Sequence, residues 1–170
     1  MPLYKFEKAA VWLDGNSLLG HVEEIELPEL NWESEDHESI GFIGTLQHPT
    51  KVEPLECTIT WADYSPELAA AAANPFQGVK LQIRAAYGVY QGANKVRDTL
   101  GRILLEGRFM SNQLGTFSPG EFERESMLKV DYVKESFDGT DMLEFGVNPP
   151  ILRYGGGTNI LAGIRDILGV

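Results

Sequence analysis

The chain has 170 residues, of which 14 are basic and 25 acidic, for a formal net charge of −11. That acid surplus argues against ordinary binding to a phosphate backbone, which needs a cationic surface. A hydrophobic fraction of 43% is globular rather than disordered composition, and the length predicts one domain over residues 1–170 able to bury about 70% of its extended surface.

No apolar run approaches the roughly 18 residues of a membrane helix. The opening Met1-Pro2-Leu3-Tyr4-Lys5-Phe6-Glu7 has no apolar stretch of the kind a signal peptide needs, so membrane binding is not expected. A single cysteine, Cys57, excludes an internal disulfide framework and any multi-cysteine metal site.

Residues 9–13 read as a short strand ended by Asp14-Gly15, a favoured hairpin turn, with a return strand over 17–27. Pro28 lacks a donor and ends that ladder. The stretch 29–52 is polar through Glu33-Ser34-Glu35-Asp36-His37-Glu38 and then carries Ile40, Phe42 and Ile43 between glycines. It reads as a long hairpin arm or a loop that orders on contact, and its apolar residues anticipate a partner.

Residues 55–62 alternate, with Cys57, Ile59 and Trp61 on one face. Ser65-Pro66-Glu67 supplies an N-cap, a proline at the first helical position and an early acid for a helix that Asn74-Pro75 ends. Alternation returns over 79–90, with Val79, Leu81 and Ile83 opposing Lys80, Gln82 and Arg84. Residues 91–98 read as a polar loop, 102–110 as a strand and 115–120 as a loop.

A long strand is predicted over 121–134, with Leu128, Val130 and Tyr132 facing inward beside Arg124 and Ser126. Glu121, Glu123 and Glu125 form an acidic row on its other face. Asp138-Gly139 is a second hairpin turn, 141–147 returns, and Asn148-Pro149-Pro150 breaks the sheet. Thr158 is placed to cap a last helix over about 158–168. Its apolar stripe is Ile160, Leu161, Ile164, Ile167 and Leu168, and Gly169 stands at the C′ position. The expected fold is mainly β: an antiparallel β-sandwich or small barrel of about seven strands with two short helices.

No constellation in the sequence supports catalysis. His21, His37 and His48 follow no metal spacing, and the acidic run 33–38 lacks a calcium-loop pattern. Gly155-Gly156-Gly157 has no following Lys-Ser/Thr, no nucleophile elbow is present, and Cys57 on an apolar strand face reads as an inert buried thiol. Trp12, Trp32 and Trp61 lack the basic background of a nucleic-acid platform. No cofactor, metal or enzymatic activity is expected.

The two ends belong together. Val11-Trp12-Leu13-Asp14-Gly15, Leu18, Gly20 and Leu27-Pro28-Glu29-Leu30 open the chain, and Gly155-Gly156-Gly157-Thr158-Asn159-Ile160-Leu161 through Leu168-Gly169-Val170 closes it. In this order they resemble the major tail tube proteins of contractile-tailed phages and R-type tailocins. The resemblance implies a structural virion protein, assembled in the host bacterial cytoplasm, whose six-membered rings stack into the inner tube of a contractile tail.

It further implies sheets joined edge to edge between subunits, and contacts made by the arm and the C-terminal segment. The expected contact residues are Trp32, Ile40, Phe42, Ile43, Ile160, Leu161, Ile164 and Leu168. Implied partners are further copies of the chain, the tail sheath protein, and baseplate and tail terminator proteins. DNA would pass through the lumen without specific binding. Six copies at −11 each give about −66 formal charges per ring, a field that keeps DNA from adhering. Glu121, Glu123 and Glu125 are the expected lumen residues; the mixed-charge surface of Lys80, Gln82, Arg84, Arg102, Glu106 and Arg108 is the competing face, and a glutamate row that only solvates the exterior is the other alternative. Residues 85–98 and Pro149-Pro150 depart from the family pattern. The alternative of the same fold is a tailocin or a protein-delivering, Hcp-like injection tube. A monomeric β-sandwich binding module is the alternative of a different class.

Overall fold

Two Asp-Gly turns close hairpins, one after residue 13 and one after residue 137. Asp14 and Gly15 (φ 47 and 87) and Asp138 and Gly139 (φ 50 and 81) supply the consecutive positive φ values that a two-residue hairpin requires. The computed structural model describes residues 1–169, so Val170 of the C-terminal Leu-Gly-Val lies outside the described residues. The described chain is 59% strand and 9% helix, and every strand pair is antiparallel.

The chain begins with β1 (Leu3–Leu13), β2 (Asn16–Ser17), β3 (Val22–Glu26), β4 (Trp32–His37), β5 (Leu46–Val52) and β6 (Leu55–Trp61). Helix α1 (Pro66–Ala73) follows, then the long hairpin β7 (Val79–Gln91) and β8 (Asn94–Asn112). After these come β9 (Thr116–Ser118), β10 (Glu121–Glu123), β11 (Glu125–Phe137), β12 (Thr140–Gly146), β13 (Ile151–Tyr154) and α2 (Ala162–Leu168).

The main sheet runs β13-β12-β11-β8-β7-β1-β2. β11 is its branch point. One edge pairs with β8 throughout, while the other pairs with β6 over 125–130 and with β12 over 132–137. β3 then lies on β6. The β6–β3 branch turns the sheet onto itself and encloses Leu13, Leu55, Ile59, Trp61, Leu81, Leu105, Phe109 and Leu128. Leu68 and Ala72 of α1 close one side. The helix start follows the sequence signal: Ser65 Oγ accepts from the Leu68 N–H and Pro66 opens the first turn.

Several segments differ from the sequence reading. The N-terminal strand begins at Leu3, not at residue 9, because its first half pairs with the far end of the β7–β8 hairpin. No burial alternation marks it there, since residues 3–9 are all exposed. The return strand 17–27 is two pieces: Asn16–Ser17 pairs with β1, and Val22–Glu26 crosses to β6. The polar loop 91–98 is strand apart from a two-residue turn at Gly92-Ala93. Polar side chains persist because that hairpin end faces water on both sides.

The loop 115–120 holds β9, which pairs with β10. The strand 121–134 is interrupted at Arg124, whose side chain is buried, and its two parts belong to different sheets. A bulge between Val130 and Tyr132 reverses the side-chain alternation, so Val133 rather than Tyr132 enters the core. The last helix starts at Ala162, not Thr158, and Asn159 organises its approach. The Asn159 carboxamide accepts from the N–H groups of Leu152 (2.9 Å) and Leu161 (3.1 Å) and donates to the Pro150 carbonyl (3.2 Å). Gly169 does adopt the left-handed conformation at the helix end (φ 71).

Candidate assembly surfaces

A compact monomer of 18.9 kDa exposes about 8,300 Å². This chain exposes 11287 Å², a surplus of roughly 3,000 Å², which is the scale of an obligate interface. Three features of the fold expose apolar side chains.

The first is the arm, 29–52, which is a hairpin. β4 and β5 pair from Trp32↔Val52 to His37↔Leu46, and every residue of both strands except Val52 is exposed. Its order comes from within. The Lys51 ammonium lies 3.2 Å from Glu33, the Gln47 amide donates to Asp36 at 3.0 Å, and the Thr45 hydroxyl donates to Glu38 at 3.0 Å. At the tip Ile40 and Ile43 are fully exposed, at 106% and 108% of their reference areas. Phe42 and Trp32 are also exposed, Phe42 edge-on to His37 with ring centroids 6.1 Å apart.

The second feature is the N-terminal half of β1 with the distal β7–β8 hairpin. Leu3, Tyr4, Phe6 and Leu100 are exposed there. Tyr4 and Tyr87 both stack edge-on against Phe137, at 5.1 and 5.3 Å, and Phe6 stacks on Tyr87 at 5.8 Å. The sequence pattern assigns residues 3–8 to no element and 91–98 to a loop, so this surface is not anticipated there.

The third is the C-terminal segment. Ile160, Ile164, Ile167 and Leu168 are exposed and Leu161 is half-buried. Among the described residues α2 buries no side chain, so the apolar stripe lies uncovered by its own subunit. The sequence-derived contact residues therefore fall in two separate projections, the arm and the C-terminus.

Charge is distributed unevenly on the outward face of the sheet. Lys80 pairs with Glu106 (3.0 Å), Lys134 with Asp141 (3.0 Å) and Arg153 with Glu144 (3.3 Å). Tyr132 donates to Glu144 at 2.8 Å, and its phenol is held protonated above its usual range first by burial and then by that carboxylate. Glu121 and Glu123 stand exposed on the small β9–β10 sheet and Glu125 on β11, so the acidic row spans two sheets. At the root of the arm an open groove of about 530 Å³ is lined by Glu26, Glu29, Glu33, Glu53 and Glu56. Glu33 is paired with Lys51 and Glu56 with Lys129.

The chemistry-bearing side chains are dispersed. His21 bonds Asp63, whereas His37 and His48 sit on the arm. Among the described residues no three His, Cys, Asp or Glu lie together as a metal site. The Cys57 thiol is fully buried, and burial, with help from Glu26, pushes its pKa up to about 12. No described helix is long and apolar enough to cross a membrane.

The family model for the phage tail tube protein FII matches residues 4–169. No curated protein matches the sequence. Among solved structures, one similar chain comes from a study of an extracellular contractile injection system, the PVC sheath–tube complex in its extended state. It shares 12% identity and a TM-score of 0.56, over 80% of this chain and 90% of that one. A second comes from the PVC sheath/tube terminator in the extended state, at 12% identity and TM-score 0.55, over 80% and 96%. At that identity the likeness is one of fold.

Proposed function

We propose a function from one premise: the chain belongs to the phage tail tube protein FII family. It is a tail tube protein, and its role is structural. Its copies close into six-membered rings, and the rings stack into the hollow inner rod of a contractile tail. The observation that carries this reading physically is the roughly 3,000 Å² of surplus surface, concentrated on an apolar-tipped arm, an open strand and an uncovered C-terminal helix. A monomer gains nothing from Ile40 and Ile43 in water; a stacked ring buries them.

The arm and C-terminal residues make the contacts between subunits and between rings. The outside of the rod meets the sheath, and its ends meet baseplate and terminator proteins, in keeping with the sheath–tube and terminator assemblies named for the similar structures. The tube serves as a conduit for DNA in a virion assembled in the bacterial cytoplasm. A tube of the same build carrying protein in an injection system is the alternative, and the nucleic-acid content of isolated particles separates the two. Glu121, Glu123 and Glu125 face the bore, where a row of carboxylates repels a passing polyanion. Electron microscopy of the concentrated full chain tests the assembly: rods of stacked rings support it, and persistent monomer refutes it.

A further inference from the structure

The geometry points to one pair of strand edges as the contact that closes the ring: β1 of one copy laid antiparallel on β3 of the next, with Lys5 opposite Glu26 and Lys8 opposite Glu24. This rests on the tube-building reading above and names the surfaces that reading leaves open.

The edges are identified by elimination. β1 pairs with β7 along its whole length, but on its other side only Trp12 and Leu13 meet a strand. Residues 3–10 therefore present an unpaired edge. Among the described residues β3 pairs with β6 alone. Of the other ends of the main sheet, β2 has only two residues, and β13 is already covered. Leu152 donates to Asn159 Oδ1 (2.9 Å) and accepts from the Ile160 N–H (2.8 Å), and the Tyr154 carbonyl accepts from the Gly157 N–H (3.0 Å).

A bulge brings the two lysines into register with the two glutamates. Lys5 lies opposite Gly88 and Lys8 opposite Ala86, because the ladder slips between Phe6 and Lys8. Three positions along β1 thus span two along β7, and both lysines point to the outward face; without the bulge they would face opposite ways. On β3, Glu24 lies opposite Thr60 and Glu26 opposite Thr58, with Ile25 turned to the core between them. The two pairs have the same face and the same spacing.

The charges are unspent. Among the described residues neither Lys5 nor Lys8 reaches a carboxylate, and Glu24 and Glu26 reach no basic side chain. Glu7 is the intervening acid on β1, and it is already paired with Lys95 at 2.8 Å. Gly88 makes room for that pair, since a Cβ there would meet the Glu7 carboxylate at 2.5 Å. Lysines and a bulge also guard a free edge against indiscriminate pairing; here they leave a partner with matching carboxylates as the one that fits.

Strand direction agrees. From β1 through β7, β8, β11 and β6 to β3 each step is antiparallel, so β1 and β3 run oppositely. Rotation about a ring axis leaves strand direction unchanged, so the contact is antiparallel. It is also heterologous, joining two different edges, which is the type of contact that closes rings.

The test uses two variants of the full chain, Lys5→Glu/Lys8→Glu and Glu24→Lys/Glu26→Lys. All four sites are exposed, and circular dichroism checks that both fold. Sedimentation and electron microscopy should show each variant alone needing roughly tenfold more protein to form rings, since like charges now face each other. An equimolar mixture should recover wild-type assembly, because alternating copies restore opposite charge at every contact. Wild-type rings combined with reversed variants that assemble equally well alone, or with a folded mixture that fails to recover, overturn the edge assignment and leave the tube reading standing. Wild-type protein that forms no rings overturns both.

Discussion

The guanidinium carbon of Arg124 lies 4.1 Å from the centroid of the Trp61 ring, and both side chains are buried. Among the described residues no carboxylate pairs with this cation and its Nε has no partner; Asn112 Oδ1 accepts from its Nη2 at 2.9 Å. Trp61 in turn donates its indole N–H to Ser126 Oγ at 3.1 Å and its backbone N–H to the Arg124 carbonyl at 2.9 Å. The pair joins β6 to the start of β11, where the acidic row breaks.

A desolvated cation–π contact contributes about 2 kcal/mol. Arg124→Ala should therefore lower stability by about 2–4 kcal/mol in urea unfolding, from lost stacking plus a cavity. Arg124→Met should cost less, because it fills the space without a buried charge. Arg124→Lys should not match wild type, since an ammonium cannot stack as a plane. An alanine variant as stable as wild type would contradict this account.

Asp138 gives a pH prediction. Its carboxylate accepts from Arg97 (2.9 Å to Nη1) and from the Thr99 hydroxyl (2.7 Å), and these bonds, Arg97 first, hold it well below the usual carboxylate range. A depressed folded-state pKa stabilises the fold above the unfolded value of about 4, and that stabilisation is lost as pH falls further. Asp138→Asn keeps the positive-φ turn and removes the charge. Its melting temperature should sit below wild type by a constant margin from pH 5 to 7, and the margin should shrink below pH 4. A margin that persists at pH 2.5 would contradict the assignment.

Gly107 is required by close approach. A Cβ there would lie 2.0 Å from the Lys129 carbonyl oxygen, a backbone atom that cannot rotate away. Gly107→Ala should destabilise the chain by about 1–3 kcal/mol through displacement of β8 from β11. An unchanged unfolding midpoint would show that the ladder is looser than its registers indicate.

The arm separates assembly from folding. Phe42→Ser/Ile43→Ser should leave the monomer's melting temperature within a degree or so of wild type, because neither side chain packs on the core. Each such side chain gains roughly 1.5–3 kcal/mol on burial, so stacking of rings should be abolished. Tubes of normal length from this variant would remove the arm from the contact.

The legible parts of the sequence were those where one face meets the core. Val79, Leu81 and Ile83 alternate with polar residues, Ser65-Pro66 starts a helix, and two Asp-Gly pairs turn hairpins, all as found. The illegible parts are those the monomer does not bury. Residues 3–8 and, apart from the Gly92-Ala93 turn, 91–98 are strands exposed on both sides, so no periodicity reports them. The branch at β11 was hidden because pairing one edge with two strands leaves no local signature. Arg124 falls on the inward face in the sequence pattern, but its partner is not legible there, since only the fold brings Trp61 under it. The apolar residues of the arm and the last helix were legible as uncovered surface, while Lys5 and Lys8 were not, because their shared face depends on a bulge.

Electron microscopy of the concentrated full chain, with sedimentation on the same sample, addresses tube building most directly. The account predicts six-membered rings stacked end to end into hollow rods, in equilibrium with monomer on dilution. A chain that remains monomeric at every concentration and salt, even when offered a nucleating baseplate, would contradict it.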